Sequence, residues 1–436
     1  MEKPFLFHIR TYGCRVNQYE CQSIREWWRS LGGTETDQAE EADVILLSSC
    51  AVTAEAVSDA RQAARQLARL GKMLIVTGCA AEVEREAFKK AGVPVIIPQK
   101  EKHFLLQKHP LELSDKAPER KKPEYPPFEV SWFYRARPVV KVQDGCSQFC
   151  TYCIVPLTRG PARSRPVQEV IAEIDRLLEA GYREILISGI NLRQYHADGV
   201  HGKDFWALLR HANGVFSPDW QGRARFRLSS IEPAQVTQPE CLETLEECGM
   251  LCPHLHLSLQ SGSETVLKRM GRSVYSPADI LAFAGRLQKF WPVMGMGADI
   301  LMGFPGETDA EAEETAEMLR RLPMTYAHIF SYSRRPGTKA AQMQGQLSTA
   351  EKRAHAQLAR EVIAGKKQDF LLRQMQMEGM RVAFDNRSAR HGVNEWYVSC
   401  RMAEASQASA QASHDLVPCR PVGIDGDALI VAPLTH

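Results

Sequence analysis

Cys146, Cys150 and Cys153 stand in the run Cys-Ser-Gln-Phe-Cys-Thr-Tyr-Cys, three thiols on one short loop with no fourth cysteine beside them. Thiolates at this x3 and x2 spacing can wrap one small inorganic core. A cubane iron–sulfur cluster normally takes four protein ligands, so three leave one iron open to something that is not protein. An open coordination position marks a catalytic metal centre, whereas structural zinc sites are closed. The competing reading is a zinc knuckle completed by a distant histidine. Against it, the loop follows Pro138-Val-Val-Lys-Val-Gln-Asp-Gly145, whose apolar alternation predicts a strand.

Three more cysteines each sit just past an apolar run: Cys14 after Phe5–Arg10, Cys50 after Val44–Ser49, and Cys79 after Met73–Thr77. With Pro94–Pro98 these runs alternate with amphipathic stretches, which predicts a Rossmann-like parallel-sheet domain over residues 1–106. An open parallel sheet exposes the carboxyl ends of its strands along one edge, where ligands bind. Thiols far apart in sequence should therefore converge there. A single cysteine is commonly a small buried hydrophobe. Three at three strand ends point instead to a second metal site.

Residues 107–130 carry proline and charge without apolar periodicity and read as a linker. Over 131–372 strand and helix alternate again, with strands expected at Val139–Gln143, Glu184–Ser188, Arg225–Ser229, His254–Gln260, Met296–Met302 and Tyr326–Tyr332. Six such units suit a partial (β/α)6 barrel with its function on the loops after the strands. Gly189, Gln260, Ser261 and Gly303 lie on those loops, where glycine and serine let backbone amides approach a polar cofactor. Thr308 and Glu311 are spaced as a capping box. From 373 to 436 the expected strands are short, Met380–Phe384, Glu395–Cys400, Asp415–Pro418 and Ala428–Ala432, as in a small β-barrel. A low-complexity loop, 404–413, interrupts them.

No apolar stretch of the 436 residues approaches the roughly 18–20 of a membrane span, and the first residues lack a signal-peptide core. Twelve cysteines without a secretion signal predict metal or redox chemistry in a reducing cytoplasm, with no membrane partner. A net charge of +2 excludes no partner. Basic runs at Arg159–Arg165, Lys116–Lys122 and Arg334–Lys339 could meet phosphates, although such runs commonly form solvated surface. Cys248, Cys252, His254 and His256 imitate zinc ligands, but the two histidines fall inside a strand pattern and read as packing. Cys21, Cys241, Cys400 and Cys419 read as structural, and Trp27 and Trp28 as helix packing.

Cys146-x3-Cys150-x-Tyr152-Cys153 matches the radical S-adenosylmethionine (SAM) pattern. With Ser49-Cys-Ala-Val-Thr-Ala-Glu-Ala, Ile154-Val-Pro-Leu-Thr-Arg-Gly160, Gln260-Ser-Gly-Ser-Glu, Asp299-Ile-Leu-Met-Gly-Phe-Pro-Gly-Glu-Thr308 and Tyr332-Ser-Arg-Arg-Pro-Gly-Thr338, the chain resembles the methylthiotransferase family from end to end. The resemblance implies a [4Fe–4S] cluster on Cys146, Cys150 and Cys153 that binds SAM. One electron cleaves SAM to methionine and a 5′-deoxyadenosyl radical. It implies a second [4Fe–4S] cluster on Cys14, Cys50 and Cys79 carrying the sulfur to be inserted. Tyr152 would lie against the SAM adenine, and Asp299, with the four loop residues above, would contact SAM. The terminal barrel resembles the RNA-gripping TRAM domain.

Gly13-Cys-Arg-Val-Asn-Gln-Tyr-Glu20 resembles the branch that inserts a methylthio group at C2 of N6-threonylcarbamoyladenosine, position 37 of tRNA beside the anticodon. That implies a tRNA substrate, a flavodoxin- or ferredoxin-type electron donor and a sulfur donor the sequence leaves unnamed. Alternatives are methylthiolation of isopentenyladenosine or of a ribosomal-protein aspartate, a one-cluster enzyme, and a catalytically silent cluster protein that binds RNA. Ser188-Gly-Ile-Asn-Leu-Arg-Gln-Tyr-His196 departs from that branch. The segment from 373 holds six arginines and seven acidic residues, so RNA contact is expected from a few arginines or from Arg159–Arg165.

Overall fold

The computed structural model describes residues 4–114, 124–198, 203–385, 390–403 and 414–434. The run Lys116–Lys122 and the loop 404–413 lie outside these described residues. Two compact units emerge: Met1–Ser131 with Val140–Arg165 and Ser333–Ala341, and Trp132–Val139 with Pro166–Tyr332 and Gln342–His436. The fold class is α/β with parallel sheets and a terminal barrel, as the sequence implies.

The first unit is built on β1 (Phe5–Thr11), α1 (Arg15–Ser30), β2 (Gly33–Glu35), β3 (Val44–Ser49), α2 (Ala54–Ala68), β4 (Met73–Gly78), α3 (Cys79–Val83), α4 (Arg85–Lys90) and β5 (Val95–Pro98). The strands form one sheet in the order β2-β1-β3-β4-β5, every neighbouring pair parallel. All six residues of β3 are buried, as expected of a central strand covered on both faces. Thr53 caps α2 by accepting the Ala56 N–H at 3.1 Å, and Val57, Ala60, Ala64 and Leu67 turn one helix face to the core. Each fully buried valine or leucine there contributes about 1.5–3 kcal/mol.

The run read as a linker is not a bare tether. Tyr125, Phe128 and Val130 are buried, and the Phe128 carbonyl accepts the Tyr19 hydroxyl at 2.6 Å. The prolines around these aromatics hid the packing. The expected strand Val139–Gln143 divides at Val142 into β6 (Val139–Lys141) and β7 (Gln143–Asp144). β7 pairs antiparallel with β8 (Arg163–Ser164), which follows helix α5 (Val155–Arg159).

In the second unit come α6 (Val167–Glu179), β9 (Glu184–Ser188), α7 (Phe205–Trp220), β10 (Arg225–Leu228), β11 (Ser230–Ile231), α8 (Pro233–Val236), α9 (Pro239–Glu247), β12 (His254–Gln260), α10 (Glu264–Met270), α11 (Pro277–Leu287), β13 (Gly295–Met302), α12 (Asp309–Arg321), β14 (Tyr326–Ser331) and α13 (Thr349–Gln374). β9 and β10 pair in parallel, as do β11, β12, β13 and β14 in that order. The Thr308–Glu311 capping box is present on α12. β15 (Met380–Phe384), β16 (His391–Val393), β17 (Ser399–Met402), β18 (Leu416–Asp425) and β19 (Ala428–Pro433) close a five-stranded barrel around Val382, Phe384, Cys400, Cys419, Leu429 and Val431.

The barrel corrects two expected strands. Glu395–Cys400 begins as a turn, because the Asn394 side chain accepts from the Trp396 and Val398 N–H groups at 3.1 and 3.0 Å and Tyr397 adopts φ +67°. The strand expected over Asp415–Pro418 runs on to Asp425, with Pro418 paired opposite Arg381 and Pro421 accommodated beside a register shift between Pro421 and Gly423. Glu184 lies buried between Arg225 and Arg227, each donating from Nε at 2.6 Å. The two guanidiniums also reach the carbonyls of Arg381 and Asn394 at 2.9 and 2.8 Å.

Candidate metal centres

Strand register brings the first three thiols together. Thr11 pairs with Ser48, and Ser49 pairs with Gly78, so the chain leaves β1, β3 and β4 at one edge. Cys14 is the N-cap of α1, Cys50 directly follows β3, and Cys79 opens α3. The approach is tight enough to need glycine. Gly78 has φ +96°, and a Cβ there would overlap the Ser49 carbonyl; one on Gly13 would lie 3.1 Å from Cys50 Cβ.

Burial pushes the Cys50 thiol up to about 11, with Cys14 and Cys79 raising it further; burial raises Cys79 as well. The Cys50 and Cys79 sulfurs, which resist ionisation separately, become stable thiolates on a cation, which fits a metal centre. Three cysteine sulfurs are a donor set that suits an iron–sulfur core. Among the described residues, the one set of three His, Cys, Asp or Glu ligand atoms lying within 4.8 Å of one another is His256, Asp299 and His328.

The second triad is shaped by its own backbone. Gly145 adopts φ +71° where a Cβ would overlap the Pro161 carbonyl, and the Cys146 N–H donates to the Gly160 carbonyl at 3.0 Å. Phe149 stands at φ +53°, and the Cys153 N–H returns to the Cys150 carbonyl at 3.0 Å. This folds Cys146, Cys150 and Cys153 back on one another, all three part-exposed, with Tyr152 half-buried among them. Helix α5 starts two residues past Cys153 and packs on α3, which Cys79 opens, and the Thr158 hydroxyl donates within α5 to the Val155 carbonyl at 3.2 Å. None of the twelve cysteines forms a disulfide, and Cys21, Cys241, Cys248, Cys252, Cys400 and Cys419 are buried.

Beneath both triads is a buried charge cluster that the sequence did not suggest. Arg159 Nη1 donates to Glu20 Oε1 at 2.8 Å and to Asp144 Oδ1 at 2.9 Å. Lys141 Nζ reaches the same two carboxylates at 3.0 and 3.2 Å, and Lys102 Nζ reaches Glu20 Oε2 at 3.1 Å. Burial alone would raise Glu20, but Arg159, Lys141 and Lys102 outweigh it and hold it well below the usual carboxylate range. Within the run Arg159–Arg165, one of the two places where RNA contact is expected, Arg159 and Arg165 turn inward and Arg163 stays part-exposed. Arg159 is spent on this cluster, and buried Arg165 bonds to the Tyr19 hydroxyl at 3.3 Å.

In the second unit the expected SAM contacts are largely engaged locally. Gln260 ends β12 at φ +65°, and Gly189 follows β9. The Ser261 hydroxyl pairs with Thr315 at 3.1 Å and accepts the Ser263 N–H, while the Gly303 N–H donates to Glu307 Oε1 at 3.0 Å. Asp299 Oδ1 lies 3.1 Å from His256 Nε2 and 3.2 Å from His328 Nδ1. Burial opposes its charge, but the two imidazoles hold it well below the carboxylate range. His254 and His256 both meet the Tyr326 hydroxyl at 2.9 Å, apart from any zinc set with Cys248 and Cys252.

Residues 140–319, which include the Cys146–Cys153 loop, match the Radical SAM superfamily, the class of radical SAM enzymes. Residues 6–97 match the family described as Uncharacterized protein family UPF0004. The chain is 32% identical to "Threonylcarbamoyladenosine tRNA methylthiotransferase MtaB" of Thermotoga maritima, covering 96% of this chain and 98% of the relative. It is also 32% identical to "tRNA-2-methylthio-N(6)-dimethylallyladenosine synthase" of Syntrophomonas wolfei, over 81% and 80%. The solved radical SAM methyltransferase TsrM of Kitasatospora setae superposes with a TM-score of 0.57 at 14% identity, over 78% of this chain and 77% of that one, a likeness of fold. The chain belongs to the radical SAM methylthiotransferase family. It is a sulfur-transferring enzyme whose cofactors are SAM and two [4Fe–4S] clusters. No described helix is long and apolar enough to cross a membrane.

Proposed function

We propose that the chain methylthiolates tRNA at C2 of N6-threonylcarbamoyladenosine beside the anticodon. Cys146, Cys150 and Cys153 would hold the cluster that binds SAM, and Cys14, Cys50 and Cys79 the cluster that carries sulfur. The observation that carries the reading is the packing of α3, which Cys79 of one triad opens, on α5, which starts two residues past Cys153 of the other. Radical formation and sulfur delivery must meet at one carbon, and two thiol triads within one compact unit suit that need. When bound, the clusters and SAM supply the electron transfer and the radical chemistry.

The protein's own contribution is placement. Glycines 13, 78 and 145 let the thiol-bearing turns close, and the helix starts at Cys14 and Cys79 orient two of the sulfurs. Support for the threonylcarbamoyl substrate comes from the similarity to proteins named for that substrate and from the run Gly13–Glu20. A second reading, action on dimethylallyladenosine, is favoured by the 32% identity to synthases for that nucleoside. Nucleoside mass spectrometry of tRNA from strains with and without the gene tests the proposal. It expects loss of the methylthio form of threonylcarbamoyladenosine, and an unchanged nucleoside profile overturns it.

A further inference from the structure

The buried cluster under the thiols is unbalanced. Lys102, Lys141 and Arg159 are three buried cations facing two buried carboxylates, Glu20 and Asp144, while part-exposed Arg163 stands 3.9 Å from Asp144 at the rim. One positive charge is left over, and a buried charge is costly unless an anion answers it. Within the first unit the network extends toward one place. Lys102 Nζ donates to Asn17 Oδ1 at 2.6 Å and to Ser48 Oγ at 3.1 Å, next to the turns bearing Cys14 and Cys50. The Asn17 amide ties back to the Tyr12 carbonyl at 2.8 Å, just before Cys14. Arg159 ends α5, the helix packed on α3, which Cys79 opens. The surplus charge therefore lies against the Cys14, Cys50 and Cys79 centre. Three thiolates on a doubly positive cubane leave one negative charge, and an anionic sulfur ligand adds another.

We propose that Arg159 is a positioning residue whose guanidinium, locked between Glu20 and Asp144, holds this surplus positive charge beneath the Cys14, Cys50 and Cys79 centre and favours its reduced and anionic-sulfur-bound states. This inference rests on reading that triad as the sulfur-carrying cluster. A guanidinium suits the role because its fork satisfies two carboxylates at once while remaining charged. The ligand class it favours is small thiolates and hydrosulfide.

The test uses the full reconstituted chain carrying Cys150→Ala, so that a single centre reports. The midpoint potential is read by electron paramagnetic resonance, and methanethiolate binding by the change it makes in that signal. Arg159→Gln leaves two buried cations facing two buried carboxylates, a network that should fold and retain about four irons. It is expected to show a more negative potential and methanethiolate binding weakened about tenfold or more. Arg159→Lys keeps the charge but cannot hold both carboxylates with the same fork, so a smaller shift in the same direction is expected. It decides the matter should the Gln variant fail to fold. Lys102→Met cancels the same net charge from a different place, and should shift the centre less than Arg159→Gln does. Unshifted potential and affinity with iron retained, or equal shifts for Lys102→Met and Arg159→Gln, overturn the proposal. A parent chain that loads no iron overturns the cluster reading itself.

Discussion

Arg159 and Glu20, 139 residues apart, meet at 2.8 Å in a cluster of buried side chains. The pair joins the helix that begins at Cys14 to the helix that begins just past Cys153, so the two thiol-bearing loops share one electrostatic foundation. Removing Glu20 should therefore be felt throughout the first unit. Glu20→Gln leaves Lys102, Lys141 and Arg159 facing Asp144 alone, and stability should fall by about 3–5 kcal/mol. Denaturant unfolding measures it, and a change below about 1 kcal/mol would mean the cations find water instead.

Iron content separates a two-centre enzyme from a one-centre enzyme with three packed cysteines. Reconstituted wild-type chain should hold about eight irons, and Cys50→Ala and Cys150→Ala should each lower this to about four. Cys50→Ala should still release 5′-deoxyadenosine from SAM plus reductant, whereas Cys150→Ala should not. Iron near four in the wild type, unchanged by Cys50→Ala, would leave the first triad without a cluster.

Gly145→Ala probes the loop without touching a ligand. Its positive φ and the Pro161 carbonyl leave no room for a Cβ, so the Cys146 turn must shift. About four irons should be lost, with 5′-deoxyadenosine formation falling at least tenfold, while circular dichroism stays near wild type. Full iron and full SAM cleavage would show that the turn adapts.

How much of this was legible in the sequence depended on the kind of signal. The six cysteines stood out because strand ends and fixed spacing are local patterns, and β9, β12 and β15 fell where periodicity put them. The charge cluster did not, because Lys102 and Lys141 each look like a single polar residue and their partner Glu20 is remote in sequence. Arg159 and Arg165 read as basic surface, although burial by tertiary packing decides their role. β17 was misplaced because Trp396 and Tyr397 have strand propensity, while the Asn394 side chain imposes a turn. β18 was cut short at Pro418 because proline reads as a strand breaker, whereas Pro418 pairs opposite Arg381 in the closed barrel. His328 carried no signal until β13 and β14 aligned it with Asp299.

His355 gives the second unit a pH dependence. Its ring nitrogens lie 2.8 Å from Glu307 and 2.9 Å from Asp309. Burial pulls its pKa down, but the two carboxylates outweigh that and raise it above 6.5. A raised folded pKa contributes stability that is complete below about 6.5 and is lost as pH rises through the folded value. The difference in melting temperature between wild type and His355→Gln should therefore shrink on going from pH 6 toward alkaline pH. A constant difference would mean the imidazole acts only as a neutral hydrogen-bond partner.

The central claim is the chemistry at one carbon of one nucleoside. Reconstituted enzyme with SAM and a reductant should be offered tRNA bearing threonylcarbamoyladenosine and, separately, tRNA bearing dimethylallyladenosine, with the digested nucleosides read by mass spectrometry. The account predicts a methylthio group replacing hydrogen on threonylcarbamoyladenosine, dependent on both Cys50 and Cys150. Product on dimethylallyladenosine alone, or on neither tRNA while SAM is still cleaved, would contradict it.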